Sequence, residues 1–107
     1  MSKLPTPLPV SRAIQELARQ FTVARRRRRL SQESMAERMG VGINTVRRLE
    51  DGASGIALET LARALHVLGE LRRLEQLLAP ESDALGLALA DEDLPQRVRT
   101  RKAPAAL

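Results

Sequence analysis

Asn44, Arg47 and Arg48 are the residues of this chain whose types and spacing suggest a definite chemistry. They stand at i, i+3 and i+4, so a helix would place them on one face. The planar donor fork of Arg48 fits the O6 and N7 acceptors of guanine, and the Asn44 carboxamide fits N6 and N7 of adenine. Such a face reads base edges in a DNA major groove. Catalysis has no comparable support. The chain has one histidine and no cysteine, and it shows no Gly-rich phosphate loop and no paired carboxylates on a shared face. His66 has no second histidine or carboxylate at ligand spacing, so packing or surface is its expected role. The absence of cysteine removes disulfides, thiolate metal sites and thiol nucleophiles from consideration. The expectation is a protein that is not an enzyme and uses no cofactor or metal.

The segment that must position these side chains is Leu30 to Gly52, LSQESMAERMGVGINTVRRLEDG. Ser31 is a good N-cap for a first short helix, and Glu33 just inside it suits the positive end of the helix dipole. The reciprocal capping box is missing, because Ser34 stands where Glu or Gln would complete it. Met35, Ala36 and Met39 form an apolar face at helical spacing. Gly40 ends the helix, since glycine adopts the left-handed C′ conformation without steric cost. Val41 follows as the buried plug of the turn. In the next helix Val46 and Leu49 face inward, opposite Asn44, Arg47 and Arg48, and Gly52 stops it after about two and a half turns. Two short helices across a tight turn form the geometry that delivers the second into a major groove.

This segment resembles, almost position by position, the helix-turn-helix module of phage repressors, Cro proteins and the Xre family of bacterial regulators. The resemblance implies an all-α, five-helix lambda-repressor-like domain that binds double-stranded DNA. It also assigns roles. Gln32 would bind a phosphate through its amide and the helix N-terminus. Ile43, Asn44 and Arg48 match positions that reach base edges, and Thr45 and Arg47 match flanking or backbone contacts. Gly42 heads the same DNA-facing stretch but departs from the family, where Ser or Thr usually caps the recognition helix. This should loosen its first turn by a few tenths of a kcal/mol. Ile43 stands where a polar residue is common, so one contact becomes an apolar touch on a thymine methyl.

The run Arg25 to Arg29 invites a simple phosphate-clamp reading, but five successive helical residues encircle the axis. The preceding helix carries the stripe Ile14, Leu17, Ala18, Phe21 and Ala24, and continuing from Phe21 by four puts Arg25 on the apolar face. A half-buried arginine needs a carboxylate, and Glu50, beside inward Leu49, is the candidate. The family carries an Arg–Glu pair at these two positions, which implies a structural ion pair between Arg25 and Glu50. Arg26, Arg27 and Arg29 remain for solvent or phosphate.

Charge agrees with this organisation. Of the net +5, the excess lies in residues 11–50, with ten Arg against four Glu, whereas residues 51–79 hold three Arg against four acids. A positive half that coincides with the motif is the electrostatic footprint of a phosphate-binding face. The chain is 107 residues with one phenylalanine and no Trp or Tyr, which suits one Leu/Ala-rich helical core and offers no stacking platform for single strands. The start, MSKLPTPLPV, has no apolar h-region, and no run approaches the ~18 apolar residues of a membrane span. A bacterial cytoplasmic protein, nucleoid-associated when bound, is expected.

Three regions follow. Residues 1–10, with three prolines, read as a flexible arm. Residues 11–79 form the DNA-binding domain: Ser11 caps its first helix, the helix-turn-helix follows, a fourth helix buries Leu58, Leu61, Ala62 and Leu65, and a fifth buries Leu71, Leu74 and Leu78 before Pro80. Residues 80–107 read as a largely disordered, partner-binding tail in which only Ala84 to Leu89 has helical spacing. One module burying ~600–1,000 Å² on DNA rarely reaches specific affinity, so a homodimer on a palindromic operator is expected. Its interface would involve Leu65, Leu68, Leu71 and Leu74, with recognition helices ~34 Å apart. A module followed by a short Leu-rich helix, Pro80 and a basic-ended tail also resembles HipB-type antitoxins. That resemblance covers residues 17–79 and the tail only in general character. It implies autorepression and capture of a HipA-like kinase toxin. An orphan or prophage repressor would share these features, and a coactivator or adaptor acting through protein contacts would not need the Asn44, Arg47 and Arg48 face.

Overall fold

The computed structural model describes residues 4–93, and among them the regular structure is entirely helical. The helices are α1 (Leu8–Arg27), α2 (Gln32–Met39), α3 (Ile43–Glu50), α4 (Leu58–Leu68), α5 (Leu71–Glu75) and α6 (Ala84–Asp93), with a 3₁₀ turn at Pro80–Ser82. The expected all-α domain is thus present as α1 to α5. The chain forms two compact units, Met1–Leu74 and Glu75–Leu107.

The first unit is built around α2 and α3. The Ser31 side chain accepts from the Ser34 N–H at 3.0 Å and so caps α2. Gly40, with φ of 75°, closes the other end, and the Val41 N–H returns to the Ala36 carbonyl at 3.0 Å. Their apolar faces supply Met35, Ala36, Met39, Val46 and Leu49 to one buried cluster, completed by Phe21 of α1 and by Ala64 and Leu68 of α4. Val41 packs against this cluster from the turn. Within the unit α3 packs on α2 and α1, and α2 also packs on α4.

Four element details differ from the sequence expectation. The first helix begins at Leu8, one turn before Ser11, because Pro9 sits in its first turn, where no N–H is needed. The Pro7 carbonyl accepts from Val10 and Ser11 at 3.0 and 3.1 Å, so residues 8–10 of the expected arm are helical. The Arg25–Arg29 run does not lie wholly on the helix: α1 ends at Arg27, and Arg29 is left-handed at φ 58°. In α4 the buried residues are Ala64 and Leu68, while Leu58 is 71% exposed and Leu61, Ala62 and Leu65 are half-buried. Apolar residues occupy both sides of LETLARALHVL, so periodicity could not choose its inner face. Finally α5 stops at Glu75, which leaves Leu78 84% exposed and not buried; Leu71 and Leu74 are half-buried.

In the second unit Asp83 accepts from the Gly86 N–H at 3.0 Å at the head of α6. This helix extends the Ala84–Leu89 spacing to Asp93, so residues 84–93 of the expected tail are ordered as a helix. The rest of that expectation, residues 94–107, lies outside the described residues, as do residues 1–3 of the arm.

Candidate nucleic-acid interface

Opposite Val46 and Leu49, α3 presents Asn44, Arg47 and Arg48 to solvent, all three exposed. Ile43 and Thr45 flank them half-buried, and Ile43 leans on the core cluster. Gly42 is the N-cap in an extended conformation without a side-chain cap, and a Cβ there would meet nothing within 4 Å. Arg47 donates through Nη1 to Asn44 Oδ1 at 3.3 Å. Arg48 donates through Nη2 to the Ser54 carbonyl at 3.3 Å, which leans it on the loop after α3. The two residues expected to point out together therefore hold different partners in the free protein.

The base of this face is fixed by a charged network. Arg25 is 6% exposed. It donates through Nε to Glu50 Oε2 at 2.5 Å, through Nη2 to Glu50 Oε1 at 3.1 Å, and through Nη1 to the Leu30 carbonyl at 2.7 Å. Gln32 joins the same network, with Nε2 donating to Glu50 Oε1 at 2.9 Å. Burial alone would push the Glu50 carboxyl up, but the hydrogen bonds from Arg25 and Gln32, with the Arg25 charge, outweigh it and hold the pKa low. Three elements meet in these four bonds: α1, the head of α2 and the end of α3. The orientation of α3 against α2 is set there, at the residue next to buried Leu49.

Gln32 accordingly has a role that residue type and resemblance did not indicate. One amide hydrogen is committed to Glu50, which ties the head of α2 to the end of α3. Other contributors were also invisible in the sequence. Arg63 of α4 donates to the Met39 carbonyl at 3.0 Å and so satisfies the C-terminus of α2 beside Gly40. Arg28 donates through Nε to the Leu68 carbonyl at 3.1 Å and does the same for α4. Gln15 of α1 reaches the Gly52 carbonyl at 3.5 Å. None of these links has a signal in local spacing, because each joins residues at least 24 positions apart. Of the residues expected at a dimer surface, Leu65, Leu71 and Leu74 retain partial exposure, whereas Leu68 lies in the core at 6%.

A family model described as a helix-turn-helix domain matches residues 16–77, more than half of the chain. The chain belongs to this helix-turn-helix family. The matched span runs from the middle of α1 to just past α5 and contains the ion pair, the Gln32 link and the whole outer face of α3. No curated protein and no solved structure matches the chain. As an Xre-like helix-turn-helix domain, the first unit is a DNA-binding module of the regulatory kind. No helix among the described residues is long and apolar enough to cross a membrane.

Proposed function

We propose that this protein is a sequence-specific transcriptional repressor that binds a palindromic operator as a homodimer. The observation that carries the reading is the outer face of α3, where Asn44, Arg47 and Arg48 are exposed together on a helix whose inner face and end are locked in place. Arg48 and Ile43 serve base edges with Asn44, while Gln32, Thr45, Arg47 and the open backbone at Gly42 serve phosphates. Dimerisation uses the surface of α4 and α5 around Leu65, Leu71 and Leu74, with Leu68 supporting it from the core. Retardation of the gene's own upstream DNA, lost with added salt and absent for unrelated DNA, is the expected result. Equal weak affinity for every fragment would favour an adaptor acting through protein contacts. Sedimentation showing only monomer, with and without the upstream DNA, would remove the dimer.

The finer reading is a HipB-type antitoxin that also holds a HipA-like kinase inactive. It is supported by the resemblance of residues 17–79 and by the second unit, where Leu77, Leu78, Leu85, Leu87 and Leu89 are exposed. A kinase encoded beside this gene should copurify with the chain and lose activity on binding. If no such complex forms, the orphan-repressor reading stands instead.

A further inference from the structure

We infer that α1 makes a second contact with the DNA backbone, in which a stripe formed by Arg12, Arg19 and Arg26 grips phosphates beside the reading helix without regard to base sequence. The inference rests on the DNA-binding reading above and adds to it a surface outside α2 and α3.

Helical spacing builds the stripe. Arg12, Arg19 and Arg26 stand seven apart within α1, close to two turns each, so they share one side of the helix. All three are exposed. Contacts of their neighbours fix where that side points. Gln15, three after Arg12 and four before Arg19, reaches the Gly52 carbonyl in the loop after α3. Thr22, three after Arg19 and four before Arg26, lies close enough to Glu50 to help hold its carboxyl low. Arg28 is two residues and about 200° on from Arg26, and it marks the opposite flank. It bonds the Leu68 carbonyl at the end of α4 and pairs with Glu70 at 3.7 Å. The stripe therefore borders the end of α3 and the loop that follows, the same loop on which Arg48 leans through the Ser54 carbonyl.

The charge of this strip is available. Among the described residues neither Arg12 nor Arg26 pairs with a carboxylate. Arg19 is held by Glu16 in bonds of 3.1 and 2.6 Å, but both groups are exposed, so the pair is weak in water and Arg19 keeps free donors. Glu16 and the exposed Asp51 next to Gly52 border the strip, against its three arginines and Arg48 across the loop, so the local balance is positive. From Arg12 to Arg26 the stripe runs about 21 Å, an axial length over which one DNA strand carries about six phosphates. Each guanidinium can thus meet a different phosphate. A flank beside the groove that α3 enters meets backbone, whose charge is the same at every sequence. Arg12 precedes residue 16, where the family match begins, so the stripe extends the contact beyond the matched module.

The test uses the full-length chain, a duplex enriched from a randomised pool and a scrambled duplex, in anisotropy titrations across about 50 to 200 mM salt. Arg12→Gln and Arg26→Gln should each weaken both duplexes alike, keep the base preferences and reduce the slope of log affinity against log salt by about 1. Their melting transitions should stay in place, since both side chains are exposed. Glu16→Gln, which releases Arg19, should tighten both duplexes and steepen the slope. Arg72→Gln is the charge control. Arg72 is exposed on α5, which follows Glu70 on the Arg28 flank, and its loss should leave the slope unchanged. Slopes for the Arg12 and Arg26 variants that match the Arg72 variant would overturn the inference and leave DNA binding standing. So would a base preference altered by either variant, which would put the stripe at base edges. A parent chain that binds no duplex would overturn the DNA-binding reading itself, and the inference with it.

Discussion

Arg25 sits in a buried network with two bonds to a carboxylate and one to a backbone carbonyl, whereas Arg47 and Arg48 stand exposed, each with one hydrogen bond of 3.3 Å. The same side chain does opposite work in these two regions. Around Arg25, desolvation makes every donor dependent on a partner, so the network is held in one arrangement and fixes how α1, α2 and α3 meet. On α3 the guanidinium groups are hydrated and weakly held, so they can exchange their present partners for DNA at little cost. Arg28 and Arg63 fall between the two, as half-exposed side chains that close helix C-termini. Rigidity at the base and readiness at the tip together suit a reading head.

Removing either member of the buried pair is the most direct way to break this contrast. Arg25→Ala or Glu50→Ala should lower stability by ~3–5 kcal/mol in urea melts, because the partner is left buried without compensation. A loss under ~1 kcal/mol would mean that the network is solvated and the two regions are alike. The same pair has a pH signature. The Glu50 pKa is lowered in the folded protein, so the stability it contributes is complete above the unfolded value of about 4.3 and is lost as pH falls through the lower folded value. Glu50→Gln should therefore show a shallower loss of stability below about pH 4.3 than the parent protein in melts recorded across the acid range.

Arg48→Ala tests the other side. It should leave the melting transition nearly unchanged while costing ~1–3 kcal/mol of binding on the preferred duplex and flattening preference at one base pair per half-site. Gln32→Ala bridges the two regions, since its amide serves Glu50 and, in the proposed function, a phosphate. A stability loss of ~0.5–1.5 kcal/mol is expected in melts, along with weaker binding to operator and scrambled duplexes alike. A change confined to binding would show that the Glu50 link contributes nothing. The smallest effect belongs to Gly42, where an uncapped helix end has open space around the missing Cβ. Gly42→Ser should add a few tenths of a kcal/mol by capping α3, visible as a slightly raised midpoint.

Much of the module was legible because its signals are local. Ser31 and Gly40 bound α2 through their own hydroxyl and φ, and the placement of Val46 and Leu49 opposite Asn44, Arg47 and Arg48 follows from 3.6 residues per turn. The Arg25 position was readable for a related reason, since a charge on an apolar stripe demands a partner and few carboxylates were in reach. The inner face of α4 was not legible, because leucine and alanine on both sides leave the choice to whichever face α2 accepts. Ala64 lies fully buried there, and its small side chain suits a close approach of α4 to the core.

Helix type, turn chemistry and the residues exposed on α3 thus came from forces acting within a few residues of each other, and those operate before any tertiary contact exists. The Gln32–Glu50–Arg25 network and the Arg63 and Arg28 caps depended on the packed molecule. The network and the caps join positions brought together by helix crossing. The Asn44–Arg47 bond joins exposed positions three apart on α3 and belongs with the local features. Composition can name which donors exist, but the partner each donor takes is set by distances that the assembled chain imposes.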